Sequence, residues 1–355
     1  MDVKYFSSFG PVEFLDRELK WRYAGSVTNL VNEKKDKFLD DGVNVVLVGN
    51  SLLEIDEVKE ITARNFLVYL YADETYQFKL SKGILGITNV QGIIRNYPLN
   101  RQVHVWEKIN SSLTTLLVSL LLIDFSRFRL SVAGIVMSLR QSALIRLHSK
   151  SGKFSISAPL GYTNLFAETF REFVNSQVKP YESLFELKDT QEALLHSKNT
   201  DICFVGQKGN SERVKFIEKV LEESKKLDPD CLQEVKQRNS FGGVENSGTK
   251  KMWAKEYVET LARATINICP PGNYSGVTFR FAESLLLNCF PLESDYVLTD
   301  PHWQPYLLTE SRVSWRHRLQ GLIQLTAPKR SFEVAKMRES YLKALARFHE
   351  TVKGC

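Results

Sequence analysis

The chain has 355 residues, 43% of them hydrophobic, and 47 Lys and Arg against 41 Asp and Glu give a formal charge of +6. That is enough chain for about two domains of ~100–200 residues with real cores, and it excludes a disordered or fibrous protein. The positive excess is small and spread along the chain, whereas nucleic-acid modules cluster theirs; no nucleic-acid partner is expected, only a modest preference for anionic ligands.

From the N-terminus, "MDVKYFSSFGPVEF" (1–14) lacks the apolar core of a secretory signal, and the chain opens with helix-like polar stretches. "NVVLVGN" (44–50) is a β-branched run ending in Gly49-Asn50, as a parallel strand entering a loop would be. A charged helical segment (53–64) leads to a second strand, "NFLVYLY" (65–71), which ends at "ADET". "ILGITNVQGIIRNYPL" (84–99) holds a third short apolar run, "GIIR", closed by Pro98. The amphipathic segment 105–148 contains the apolar run "LTTLLVSLLLI" (113–123), short of the ~20 residues that span a bilayer. Followed by Arg127, Arg129, Arg140 and Arg146, it reads either as a buried helix of the fold or as an element lying on a membrane surface. "FSISAPLGY" (154–162) is a further strand and turn.

The second half restarts the alternation. "TDICFVGQKGN" (200–210) is a strand breaking into a glycine-bearing loop. "SERVKFIEKVLEESKKL" (211–227) is a helix with Val214, Ile217, Val220 and Leu221 on one face and Ser211 placed to cap it. "ATINICPPG" (264–272) is a strand and loop, "FRFAESLLLNCF" (279–290) its helix, and "SFEVAKMRESYLKALARFHETV" (331–352) a last amphipathic helix. Alternating strand and helix signals on both sides of "NSQVKPYES" (175–183) predict an α/β protein of two domains, 1–165 and 166–330, with 331–355 packing back on the first. The five cysteines form no CxxC pair, so neither a disulfide framework nor a zinc site is read, and a reducing, cytoplasmic location is expected, with peripheral membrane contact left open.

In open parallel sheets ligands sit at the carboxyl ends of the strands, which directs attention to the loops. In "ICPPGNYSGVTFRFAES" (268–284), Pro270-Pro271 ends the strand. Gly272, Ser275, Gly276 and Thr278 are small enough to leave backbone N–H groups free at a helix start, a natural anion site. Arg280 then stands in the first helical turn, where a cation opposes the dipole by roughly 0.3–1 kcal/mol unless a phosphate is bound. Glu283, three residues on, is suited to accept hydrogen bonds from ribose hydroxyls; the plainer reading is an Arg280–Glu283 ion pair on a solvated face. Gly206, Lys208 and Arg213 are further candidates for phosphate contacts, or else a solvated loop. Asp228-Pro229-Asp230 matches a metal-holding Asp-x-Asp pattern, but the central proline after a helix reads as a turn, and no metal site is expected.

The segment 256–292, helix, strand, Pro-Gly turn, small-residue loop and then Arg280 and Glu283 on a helix, resembles the donor-side segment of exostosin-like glycosyltransferases. "LVYLYADET" (67–75), "IIRNYPL" (93–99), "APLGY" (158–162) and "FVGQKGNSERVKFI" (204–217) resemble, in the same order, other motifs of that group. Asn288-Cys289 and Leu292-Glu293 depart from its usual pattern around the last strand. The resemblance implies a GT-B fold of two Rossmann-like domains facing across a cleft. It implies transfer from a nucleoside-diphosphate sugar, UDP favoured, to a glycan or glycoconjugate hydroxyl, with no metal or other cofactor. It makes Asp73 or Glu74 the candidate catalytic base, Gly206, Lys208, Arg213, Gly272, Ser275, Thr278, Arg280 and Glu283 the donor-binding set, and Arg95, Tyr97, Gly161 and Tyr162 the cleft and acceptor residues. The competing reading is a non-catalytic nucleotide- or glycan-binding protein on the same fold. A methyltransferase suggested by "VVLVGN" lacks the glycine-rich loop it would need.

Overall fold

The computed structural model describes residues 3–6, 44–48, 66–70, 78–96, 125–159, 161–162, 164–174, 194, 198–207, 211–238, 247–270, 278–294 and 314–353. Among these the protein is α/β, with two sheets whose neighbouring strands are all parallel, and the described residues fall into one unit made of those up to Ala158 together with 348–353, and another over Pro159–Arg347.

The first sheet comprises β1 (Val3–Phe6), β2 (Asn44–Val48), β3 (Phe66–Leu70), β4 (Val90–Arg95) and β5 (Phe154–Ser157), in that spatial order. Connections that are right-handed and always step the same way put their helices on one face. Accordingly α1 (Phe78–Leu85) and α2 (Phe125–Ser151) pack on each other. The unbroken apolar run of β3 is what a strand covered on both faces requires: all five residues are buried. Phe66, Val68 and Leu70 form one cluster with Leu80, Ile84 and Leu85 of α1, Val90 and Ile93 of β4, and Leu147 of α2. Gly92 pairs with Phe154, and a Cβ there would meet the Phe154 Cβ and carbonyl oxygen at 2.7 Å, so only a glycine lets β5 approach β4 this closely. The opening strand β1 stands where the sequence reads as helix-like; four residues interrupted by Lys4 are too short for an alternation to register.

The second sheet comprises β6 (Thr200–Gln207), β7 (Gln233–Arg238), β8 (Ala264–Cys269) and β9 (Phe290–Glu293), ordered β7-β6-β8-β9. Its helices are α3 (Asn164–Phe173), α4 (Ser211–Leu227), α5 (Ser247–Arg263), α6 (Arg280–Leu286), α7 (Trp315–Gln324) and α8 (Ala327–Lys353). The chain steps one way from β6 to β7 and the other way from β7 past β6 to β8, which places α4 on one face and α5 with α6 on the other. Contacts agree: Phe216 of α4 meets Trp315 of α7 edge-on, while Tyr257 of α5 reaches Glu283 of α6. Between α6 and the sheet lies a buried layer of Cys203, Cys269, Cys289, Asn267 and Ser284. Asn267 Nδ2 donates to Ser284 Oγ at 2.8 Å, and the Cys203 thiol donates to Asn267 Oδ1 at 3.7 Å.

At the amino edge of this sheet Arg330 donates to Asp201 Oδ1 (2.9 Å), Thr265 Oγ1 (3.1 Å), and the carbonyls of Leu325 (3.0 Å) and Ile323 (3.2 Å). Lys198 Nζ donates to the carbonyls of Leu287 (2.7 Å) and Leu261 (3.3 Å), tying together the C-terminal ends of α6 and α5. Asn288 leaves α6 in the left-handed region (φ 51), with its N–H on the Leu285 carbonyl and the Cys289 N–H on that of Ser284. That pair of bonds is the Schellman arrangement, and asparagine tolerates its backbone better than any other non-glycine. Among the described residues no helix is long and apolar enough to cross a membrane. The run 113–123 lies outside them.

Candidate functional site

The strand order of the second sheet reverses between β6 and β8, and the crevice outside the carboxyl ends at such a reversal is where parallel sheets bind ligands. The described strands of the first sheet step in one direction and have no such reversal. Arg280, the first residue of α6, sends its side chain to this point: Nε donates to the Val205 carbonyl at 3.4 Å and the guanidinium lies 5.7 Å from the centre of the Phe204 ring. A Cβ on Gly206 would collide with the same guanidinium, so the bare backbone at the end of β6 is what admits it. Gly206 and Arg280, 74 positions apart, thus meet as one feature.

Behind Arg280, Phe281 to Leu286 are all buried, so α6 is an internal helix. Glu283 is 4% exposed and accepts the Tyr257 hydroxyl at 2.7 Å, which removes the reading of Arg280 and Glu283 as an ion pair on a solvated face. Tyr257 is itself set by rings, stacked on Trp253 at 5.4 Å and edge-on to Phe166 at 6.2 Å. Burial first, and the Glu283 charge second, push its hydroxyl well above the usual range, so it stays a donor to the carboxylate. A helix of seven residues supplies little dipole, so attraction for an anion rests here on the guanidinium.

One strand further, Glu293 ends β9 opposite Cys269, the last residue of β8. It is fully buried, and among the described residues neither carboxylate oxygen has a hydrogen-bond partner. Burial holds its carboxyl well above the usual carboxylate range, with Arg318 and Arg280 pulling the other way. The hydroxyls of Thr278 and Ser294 are likewise buried with no hydrogen-bond partner among the described residues.

Of the other sequence candidates in this unit, Arg213 is buried near the start of α4. Gly161 and Tyr162 are buried too, the Tyr162 ring 6.4 Å from Phe166 of α3. Asp228 forms the expected turn, its Oδ1 accepting from the Asp230 N–H at 3.0 Å. In the first unit Arg95 is 1% exposed and donates to Ser81 Oγ of α1 at 2.5 Å, an interior anchor at the end of β4. Asp73, Glu74, Tyr97, Lys208, Gly272 and Ser275 lie outside the described residues.

Three residues around these strand ends escape the sequence reading, two of them on strands or their ends and one within α5. Asn96 is buried and donates to the Tyr69 hydroxyl at 2.6 Å; its signal was a polar residue directly after the apolar run "GIIR". Tyr257, in the helix that opens the segment 256–292, carries no signal of its own in the sequence. Glu293 had a visible signal, an acid closing the apolar strand "FPLE". Compared with known proteins, the sequence matches no protein-family model and no curated protein.

Proposed function

We propose that the chain is a glycosyltransferase of GT-B architecture, moving a sugar from a nucleoside-diphosphate sugar, UDP favoured, to a hydroxyl of a glycan or glycoconjugate without a divalent metal. In this reading the unit carrying the second sheet is the donor domain and the unit carrying the first is the acceptor-side domain. The observation that carries it is Arg280 laid over Gly206 at the strand-order reversal. A diphosphate accumulates charge as the bond to the sugar breaks, and a guanidinium offers it a planar fork of donors already in place. Lys208, Arg213 and the loop over 272–278 add positive or N–H groups to the same phosphates. Asp73 or Glu74, following β3, takes the proton of the acceptor hydroxyl. Motif order in both halves supports the enzyme over a binding protein, which would need the donor half alone.

Calorimetric titration of UDP into the parent and three variants tests this. Arg280→Ala should weaken UDP by about tenfold to a hundredfold, because donor and product share the diphosphate. Of Asp73→Asn and Glu74→Gln, one should lower turnover by ~10²–10⁴ and leave UDP binding nearly unchanged. A folded Arg280→Ala that binds UDP as the parent does would end the donor-site reading.

A further inference from the structure

We propose that Glu293 is the residue that reads a pair of neighbouring hydroxyls on the ligand whose phosphates Arg280 holds; this rests on the nucleotide-sugar reading above. Three observations converge at the carboxyl edge of the second sheet. Glu293 is fully buried and, among the described residues, both its oxygens lack hydrogen-bond partners. Two further buried hydroxyls in the same condition, Thr278 and Ser294, stand at the start of α6 and directly after β9. And strand register puts Glu293 beside Cys269, from which the chain runs on to Arg280 at the strand-order reversal.

Native interiors pair their buried polar groups, and a buried carboxylate without donors is among the least tolerated exceptions. Such a group marks a place completed by something else. The chemistry of the surroundings selects what that is. Ionised, the group accepts at two oxygens of fixed spacing, so it suits a ligand presenting two adjacent donors, and such donors favour the ionised form. Arg280 and Arg318 act electrostatically on Glu293, which disfavours a cationic ligand there, and the carboxylate itself disfavours a phosphate. A vicinal pair of sugar hydroxyls satisfies both limits: two donors, no charge. Thr278 and Ser294 can then give or accept the remaining hydrogen bonds. Glu283 is committed to Tyr257 inside the unit, whereas among the described residues both oxygens of Glu293 lack a hydrogen-bond partner. The hydroxyl pair belongs either to the ribose of the nucleotide or to the sugar being moved.

The full chain and its Glu293→Gln variant are titrated with pyrophosphate, UDP, 2′-deoxy-UDP and UDP-glucose, and melted without ligand. If the ribose is read, Glu293→Gln weakens UDP about tenfold to a hundredfold and 2′-deoxy-UDP little. If the sugar is read, UDP is unaffected and UDP-glucose is weakened by a similar factor. In both cases pyrophosphate binds the two proteins alike, and at a pH above the raised carboxyl value the ligand-free variant melts about 2–4 °C higher, because a desolvated charge is gone. Equal binding of UDP and UDP-glucose by the two proteins overturns the inference while leaving the nucleotide-sugar reading intact. So does a variant that melts no higher than the parent, since the carboxylate then serves the fold. A parent that binds none of the four ligands removes the nucleotide-sugar reading, and the inference with it.

Discussion

The two edges of the second sheet are built on opposite terms. At the amino edge Arg330 places four hydrogen bonds on Asp201, Thr265, Leu325 and Ile323, and Lys198 ties down two helix ends. At the carboxyl edge the Glu293 carboxylate and the Thr278 and Ser294 hydroxyls are buried with no hydrogen-bond partners among the described residues. Each buried group left unmatched costs on the order of 1–3 kcal/mol, more when charged. One edge therefore holds the unit together, and the other withholds bonds that a ligand can complete. The division explains how an edge with a desolvated carboxylate persists: the strands are anchored at their far ends.

The comparison can be broken first at the stable edge. Arg330→Met takes the donor from Asp201 Oδ1 and Thr265 Oγ1, and the side chain is only 12% exposed, so a loss of about 3 kcal/mol in urea unfolding is expected. UDP affinity of the folded fraction should stay within about twofold of the parent; a large fall would mean that the edges are not independent. At the other edge Gly206→Ala should do the reverse. The new methyl meets the far end of a flexible arginine, so stability should change by less than about 1 kcal/mol, while the displaced Arg280 weakens UDP about tenfold. Unchanged UDP affinity in a folded Gly206→Ala would detach Arg280 from the ligand.

The smallest effect concerns pH. The folded-state carboxyl of Glu293 lies above its unfolded value, through burial first. The native state therefore holds that proton more tightly, and stability is lost as pH rises from about 4.3, the ordinary glutamate value, through the raised one. The Cys269 thiol opposite it is pushed well above its usual range, by burial first and the Glu293 charge second. The melting advantage of Glu293→Gln should thus grow as pH rises through the raised value and close as pH falls towards about 4. An advantage independent of pH would contradict the assignment of charge.

Buried strands were legible in the sequence because both faces are covered and the runs are continuous: "NFLVYLY" contains β3, "TDICFVG" lies within β6 and "ATINIC" is β8. The helix 211–227 was legible from its 3.6-residue period and appears over the same residues. What failed to register was the edge of the second sheet. β7, "QEVKQR", alternates charges that are spent on pairs, Glu234 with Arg263 at 3.0 Å and Lys236 with Glu256 at 3.1 Å, and so shows no apolar run. At the site, Arg280 was legible because it stands in a helical first turn. Its meeting with Gly206 was not, since only the strand order brings residues so far apart together. Glu293 was passed over as a departure from a family pattern, because burial of an acid is a property of the fold and not of spacing.

The layer under α6 has a consequence for how the molecule can be watched. Cys203, Cys269 and Cys289 are buried there, and for Cys203 and Cys269 burial raises the thiol well above the range in which thiolate forms. A thiol that is neither ionised nor reachable reacts with alkylating reagents only when its surroundings open. These sulfurs are therefore a built-in clock on the detachment of α6 from its sheet, and the arginine that reaches for the ligand is the first residue of that same helix.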